Sequence, residues 1–192
     1  MIRSVFTVMA FACSVAFAGS AGAQPVASLN GEQASFFERV FGGPVSPTAR
    51  RLVTWPGTQR PGTIVISTSE RRLYFVLGNW QAIQYGIGVG RPGFTWTGTK
   101  TVSMKREWPA WSPPAAMLRR RPDLPRYMPG GLDNPLGARA LYLGSSMYRI
   151  HGSNEPQTIG FAVSSGCIRM TNADVIDLYS RTRVGTRVVV LR

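Results

Sequence analysis

A chain of 192 residues suits one domain with appendages, and its 44% hydrophobic content supplies a core and excludes disorder throughout. The formal charge is +13, and among 22 basic residues only Lys100 and Lys105 are lysine. Such a balance favours an anionic partner: nucleic acid, a membrane surface or an acidic polymer.

The first residues bear on that choice. Arg3 is a short positive lead, Val5 to Phe17 is an apolar run too short for a comfortable membrane span, and Ala21-Gly22-Ala23 is an A-x-A cleavage site before Gln24. Residues 1–23 therefore read as a signal peptide cleaved after Ala23, with membrane contact only during export. Cleavage removes Cys13 and leaves Cys167 as the single thiol, which cannot form an internal disulfide. No nucleic-acid partner is expected, because no recognition motif accompanies the arginines and the chain reads as exported.

Residues 24–60 read as an N-terminal extension. Within it Glu32 to Phe41 has the apolar spacing of a short amphipathic helix, stopped by Gly42-Gly43-Pro44, and Ser46 to Pro61 reads as a connection. From residue 61 the rhythm becomes β. Thr63–Thr68, Arg72–Leu77 and Gln81–Val89 predict three strands of an antiparallel meander, parted by Ser69-Glu70-Arg71 and Gly78-Asn79. Gly86, Gly88 and Gly90 only superficially resemble a dinucleotide loop, since Arg91-Pro92-Gly93 is a turn and no helix follows.

Thr101–Arg106 predicts a further strand, and Trp108 to Pro114 is too proline-rich for a regular element. Met117 to Gly131, with Arg119, Arg120, Arg121 and Arg126, is either a substrate-binding loop or a solvated connection. Arg139–Gly144 and Tyr148–His151 predict two more strands. Thr171-Asn172-Ala173-Asp174 is a capping box opening a helix that Gly185 follows, and Thr186–Leu191 predicts a terminal strand.

The chemistry concentrates in residues 150–172. His151 is the only histidine and lies 16 residues before Cys167. An imidazole beside a thiol can take its proton and later hand it to a leaving amine. A backbone carbonyl near Gly152 is the candidate for orienting the imidazole, and the N–H groups of Gly166 and Cys167 are candidates for an oxyanion hole. Arg169 is placed to grip a substrate carboxylate bidentately. The bland alternative is that Cys167 is a small buried hydrophobe and His151 a satisfied core or surface group. One histidine and one mature cysteine do not make a structural zinc site, so neither metal nor cofactor is expected.

Several separated motifs, in order, resemble the YkuD-type L,D-transpeptidase catalytic domain, in particular the ErfK/YbiS/YcfS/YnhG group. They are Y-G-I-G-V-G-R-P-G-F at 85–94, W-P-A-W-S-P-P at 108–114, N-P-L-G-A-R-A-L-Y-L at 134–143, I-H-G-S-N at 150–154 and S-S-G-C-I-R-M at 164–170. The resemblance implies a mainly β, sandwich-like domain of mixed sheets with one or two short helices, over residues 61–192. It implies an exported, periplasmic enzyme acting on peptidoglycan stem peptides. Cys167 would attack the bond between meso-diaminopimelate and D-alanine of a tetrapeptide, and carbapenems would acylate the same thiol. The acceptor would be a second stem, giving a 3-3 crosslink, or an outer-membrane protein or lipoprotein. Ser153, Ser164, Ser165 and Tyr85, which lie in these motifs, are assigned with Arg169 to substrate binding. Many family members carry a histidine where Ser165 stands and an asparagine where Arg169 stands, so the base function falls on His151 alone. A carboxypeptidase or crosslink hydrolase on the same scaffold, and a non-catalytic wall-binding module, are the competing readings.

Overall fold

A computed structural model describes residue 46 and residues 48–192. The expected signal peptide and the helix expected over Glu32 to Phe41 lie outside the described residues.

The described residues form a mainly β structure. The strands are β1 (Arg51–Thr54), β2 (Ile64–Ser67), β3 (Arg72–Gly78), β4 (Gln81–Gly86), β5 (Val89–Gly90), β6 (Gly98–Glu107), β7 (Arg139–Leu143), β8 (Arg149–His151), β9 (Ala162–Ser164), β10 (Ile168–Arg169) and β11 (Arg187–Leu191). The helices are α1 (Ala115–Arg120) and α2 (Asn172–Arg181), with one 3-10 turn at Pro156–Thr158. Nine strands run in the order β1-β4-β3-β2-β11-β6-β7-β8-β10, and β5 pairs with β9 separately.

The meander β2-β3-β4 forms as its β-branched runs predict, with antiparallel pairing throughout. Its second turn carries Gly78, Asn79 and Trp80 at φ of 94°, 48° and 58°, the left-handed backbone a two-residue hairpin demands. β11 enters beside β2 in parallel, Val188 against Ile64. β2 is therefore covered on both edges and buried at every position, which is why it reads as an unbroken apolar run.

β6 carries the chain from one half of the sheet to the other. Gly98–Thr101 pairs with β11, Val102–Glu107 pairs with β7, and the register shifts between Val102 and Met104. Both halves bury side chains in one core: Ile64, Ile66, Leu73 and Tyr85 from the first, Leu141, Leu143, Ile150 and Ile168 from the second, with Val175 and Leu178 of α2. Each large aliphatic group so buried contributes roughly 1.5–3 kcal/mol. Thr171 caps α2, its hydroxyl accepting the Asp174 N–H at 3.1 Å, as the capping box predicts.

Three expectations need correction. The connection from Ser46 to Pro61 contains β1, which adds to the outer edge of β4. The run Gln81–Val89 is not one strand, because beyond Gly86 the backbone leaves β3 and Gly88 exchanges two hydrogen bonds of 2.9 Å with Arg169. The irregular segment after Pro114 opens with α1, an uncapped helix of six residues with no buried side chain.

Candidate active site

Three short strands build the site. β7 and β8 are antiparallel, with Tyr142 opposite Arg149 and Ala140 opposite His151. β8 and β10 are parallel, with Ile150 opposite Ile168 and His151 opposite Arg169. Ile150 and Ile168 are buried in the core, so the alternating residues Arg149, His151, Cys167 and Arg169 project from the other face. There they make two adjacent rows, Tyr142–Arg149–Cys167 and Ala140–His151–Arg169. All four polar or reactive side chains line one cavity of about 460 Å³.

His151 is 4% exposed. Its Nδ1 lies 2.6 Å from the Gly152 carbonyl oxygen; Nδ1–H therefore donates to that carbonyl, and Nε2 keeps the lone pair. The carbonyl is itself held by a tight knot. Asn172 Oδ1 accepts the N–H groups of Ala138 at 2.9 Å and Ser153 at 3.3 Å. A Cβ on Gly137 or Gly152 would come within 2.2 or 2.3 Å of that same oxygen. These two glycines let the amide approach, and the amide fixes the carbonyl that fixes the imidazole.

Cys167 follows a sharp turn. Gly166 sits at φ 108°, where a side chain is strained, and an added Cβ would lie 2.6 Å from the Tyr148 ring. The Ser164 hydroxyl accepts the Gly166 N–H at 3.1 Å and donates to the Cys167 carbonyl at 2.6 Å. The Trp96 indole N–H donates to the Gly166 carbonyl at 2.9 Å, and Trp96 stacks on Tyr148 at 4.5 Å. The thiol is oriented toward the Met147 carbonyl at 3.8 Å, a long contact.

Burial favours the neutral form of both His151 and Cys167. Burial depresses the His151 pKa to about 4, helped by the charges of Arg149 and Arg169 and opposed by the bond to Gly152. Burial pushes the Cys167 thiol up, while Arg149 and Arg169 pull it down. The thiol and the imidazole line the same cavity, and the shifts favour neutral groups over a preformed ion pair.

The remaining assignments divide. Ser164 and Ser165 line the cavity, and Ser164 also braces the turn. Arg169 lines it too, but its Nη1 already meets Glu155 at 3.0 Å, so a bidentate grip on substrate requires that carboxylate to leave. Gly166 is corrected as an oxyanion donor, since its N–H is taken by Ser164. Ser153 is corrected as a substrate contact: it is 3% exposed, and its hydroxyl accepts the Glu155 N–H at 2.9 Å. Tyr85 is corrected most clearly. It is fully buried, and its hydroxyl donates to Asp177 at 2.6 Å, a carboxylate also bound by Arg50 and Arg181. Tyr85→Phe is expected to cost about 1–2 kcal/mol of stability with peptide KM and kcat unchanged, measured by urea unfolding and steady-state kinetics.

The cavity wall is built by residues 108–136. Trp111 and Met128 exchange two backbone hydrogen bonds of 2.8 Å and close this segment into a loop. Buried Asn134 ties it to the Pro129 carbonyl at 2.8 Å. The loop presents Trp111, Met117, Arg120 and Leu136 to the cavity, and a second cavity of about 530 Å³ adjoins across Met117, Ser165 and Arg169. Arg149, Trp96, Asn172 and Gly137 escaped the sequence reading as site residues. Only the Y-R-I-H alternation, which puts Arg149 on the face of His151, could have indicated one of them.

Comparison with known proteins identifies the family. Residues 61–190 match the YkuD model, described as the L,D-transpeptidase catalytic domain. The YkuD protein of Bacillus subtilis strain 168, which bears an L,D-transpeptidase name, is 55% identical over 149 residues, covering 76% of this chain and 77% of its own. The similarly named ErfK/SrfK protein of Escherichia coli K12 is 39% identical over 145 residues, 71% of this chain and 46% of its own. The chain thus spans about half the length of the first curated relatives it matches. An L,D-transpeptidase structure from Mycobacterium smegmatis shares the fold at 20% identity and TM-score 0.51, covering 68% of this chain and 58% of that one. A Brucella melitensis structure described as a carnitine operon oxidoreductase is 46% identical with TM-score 0.51, over 74% of this chain and 93% of that one. Its description departs from the others. In this chain the glycines at 86, 88 and 90 lead into a turn closed by Phe94 N–H to Arg91 carbonyl at 2.9 Å, not into a helix N-terminus that would hold a pyrophosphate.

Proposed function

Because the chain belongs to the YkuD L,D-transpeptidase catalytic domain family, we propose that it is an exported cysteine acyltransferase of peptidoglycan stem peptides. The observation that carries this reading is the placement of His151 and Cys167 on one face of the paired strands β8 and β10, in a cavity open to a peptide.

The carbonyl carbon of meso-diaminopimelate, followed by D-alanine, enters beside Cys167. His151 Nε2 accepts the thiol proton as sulfur attacks, and the Cys167 N–H faces the developing oxyanion. The intermediate collapses as the imidazolium returns its proton to the departing D-alanine amine. A thioester remains on Cys167. An acceptor amine then attacks it, giving its proton to His151, and the thiol is restored. With a stem peptide as acceptor the product is a 3-3 crosslink; with a protein amine it is attachment to the wall. The second cavity, across Ser165 and Arg169 from the thiol, gives the acceptor its own approach. The net positive charge suits retention on an anionic wall, and residues 1–23 supply the route to the periplasm.

The test is incubation of the protein with disaccharide-tetrapeptides, followed by intact and peptide mass spectrometry. A thioester adduct mapped to Cys167, with D-alanine released, is the expected result. Adduct with release of a free tripeptide and no crosslink would assign the chain to the hydrolase reading. Wall binding with no adduct would leave only a binding module.

A further inference from the structure

We propose that Arg149 reads the carboxylate of the leaving residue, so that Cys167 is acylated only at a peptide bond one residue from a free C-terminus. The inference rests on the acyl-transfer reading above and assigns to it a residue that decides which donor is accepted.

The placement follows from strand register. Arg149 precedes Ile150 and Cys167 precedes Ile168, and Ile150 lies opposite Ile168 in the parallel pair; Arg149 is thus the neighbour of the nucleophile across the strands. In the leaving residue the carboxylate carbon is two bonds past the scissile nitrogen, about 3–4 Å from the carbon under attack. A group directly across from the sulfur reaches it, whereas the row holding His151 and Arg169 is two residues farther along, about 6.6 Å.

The guanidinium is also short of partners. Among the described residues Arg149 has no ion pair; it lies over the face of Tyr142 at 5.0 Å and against the Cys167 thiol, and its Nε, like that of Arg169, is buried without a hydrogen bond. Arg169, by contrast, is engaged by Glu155. Among the described residues no aspartate or glutamate lines this cavity. A partly buried cation without a counter-charge is unfavourable, and a substrate carboxylate supplies the charge. The guanidinium fork matches it bidentately. Arg149 neither gains nor loses a proton: the S–C bond forms, the C–N bond breaks, and the thiol proton travels through His151 to the amine. A donor longer by one residue presents a neutral amide where the carboxylate belongs and is rejected.

Two measurements test this. The first needs no peptide: the second-order rates of Cys167 alkylation by iodoacetate and by iodoacetamide, each mapped to the Cys167 peptide and divided by the rate for a small free thiol. Because thiolate fraction affects both reagents alike, the ratio reports an anion site beside sulfur. Wild type is expected to favour iodoacetate by about tenfold, R149Q to lose the preference, and R149K to keep part of it. The second compares acylation by a tetrapeptide with a free C-terminus and by its C-terminal carboxamide. Wild type is expected to lose about tenfold or more on the carboxamide, and R149Q to treat the two alike. An iodoacetate preference that persists in R149Q, or equal losses on acid and amide substrates in R149Q and R149K, overturns the proposal. If wild type forms no acyl-enzyme with any peptide, the acyl-transfer reading and the donor-selection claim fall together, while the alkylation ratio still decides whether Arg149 is an anion site.

Discussion

His151→Gln is expected to slow acylation of Cys167 by about 10²–10⁴-fold while leaving the protein folded, and the pH profile distinguishes this from a packing effect. The wild-type imidazole has its pKa pushed down to about 4 by burial. Its Nε2 is then available as a base at every pH above that, and the acid limb of kcat/KM is expected near 4, well below the 6.5 of a solvated imidazole. A limb centred at 6.5 would place the ring in water and sink the assignment. In the same region the group affects stability. In the unfolded chain His151 protonates near 6.5, so between 6.5 and 4 the unfolded state binds more protons and stability falls as pH falls. Its full contribution is present above 6.5, and about 3 kcal/mol is lost by pH 4. Urea unfolding of wild type and H151Q from pH 7 to 4 measures this directly. The difference between the two proteins separates His151 from Asp174, whose carboxyl is raised by burial.

What the sequence revealed of this site was its chemistry, and what it concealed was its support. His151 stands out as the only histidine and Cys167 as one of two cysteines, and the Gly152 carbonyl is legible because an imidazole needs an orienting acceptor. Arg149, Trp96 and Asn172 act through partners 18, 70 and 34 residues away, separations read from Cys167, Gly166 and Ala138. No local periodicity encodes such pairings. The fold shows the same division. Strands with strong β-branched runs, such as Ile64–Ser67 and Arg187–Leu191, were legible because the pattern records burial. β1 was not, because its residues are mostly exposed and it is held by its edge pairing with β4. α1 was not, because six residues between prolines, uncapped and unburied, carry no helical signature. The break after Gly86 was hidden for another reason: Ile87 and Val89 are as buried as any strand residue, but Gly88 bonds to Arg169 instead of β3.

Asn172→Ala is the second large effect expected, and it comes from a residue that touches neither substrate nor thiol. Deleting the side chain leaves the Ala138 and Ser153 N–H groups without their shared acceptor in a half-buried site. Two unsatisfied donors are expected to cost about 2–4 kcal/mol of stability. With the amide gone, the Gly152–Ser153 peptide loses the acceptor that pinned its N–H, and the Gly152 carbonyl is free to swing. The imidazole then loses its fixed tautomer and direction, and a small misplacement of a general base costs on the order of 10²-fold in rate. The loss is expected in kcat with KM little changed, because the cavity lining is untouched; the iodoacetate-to-iodoacetamide ratio at Cys167 is expected to match wild type, because Arg149 stays in its row. A variant that loses stability by this amount yet acylates at the wild-type rate, under conditions where it is fully folded, would show that His151 is oriented without the knot behind it. Gly137→Ala tests the same knot from the other side. At a backbone φ of 62° its Cβ would lie 2.2 Å from the Asn172 oxygen, 2.5 Å from Ser153 N and 2.7 Å from the Gly152 carbonyl carbon, so it should displace the amide and also press on the peptide that carries the Gly152 carbonyl. The double variant G137A/N172A is expected to lose less than the sum of the two single losses, because the clash with the amide is shared, but more than N172A alone, because the clash with the Gly152–Ser153 backbone remains.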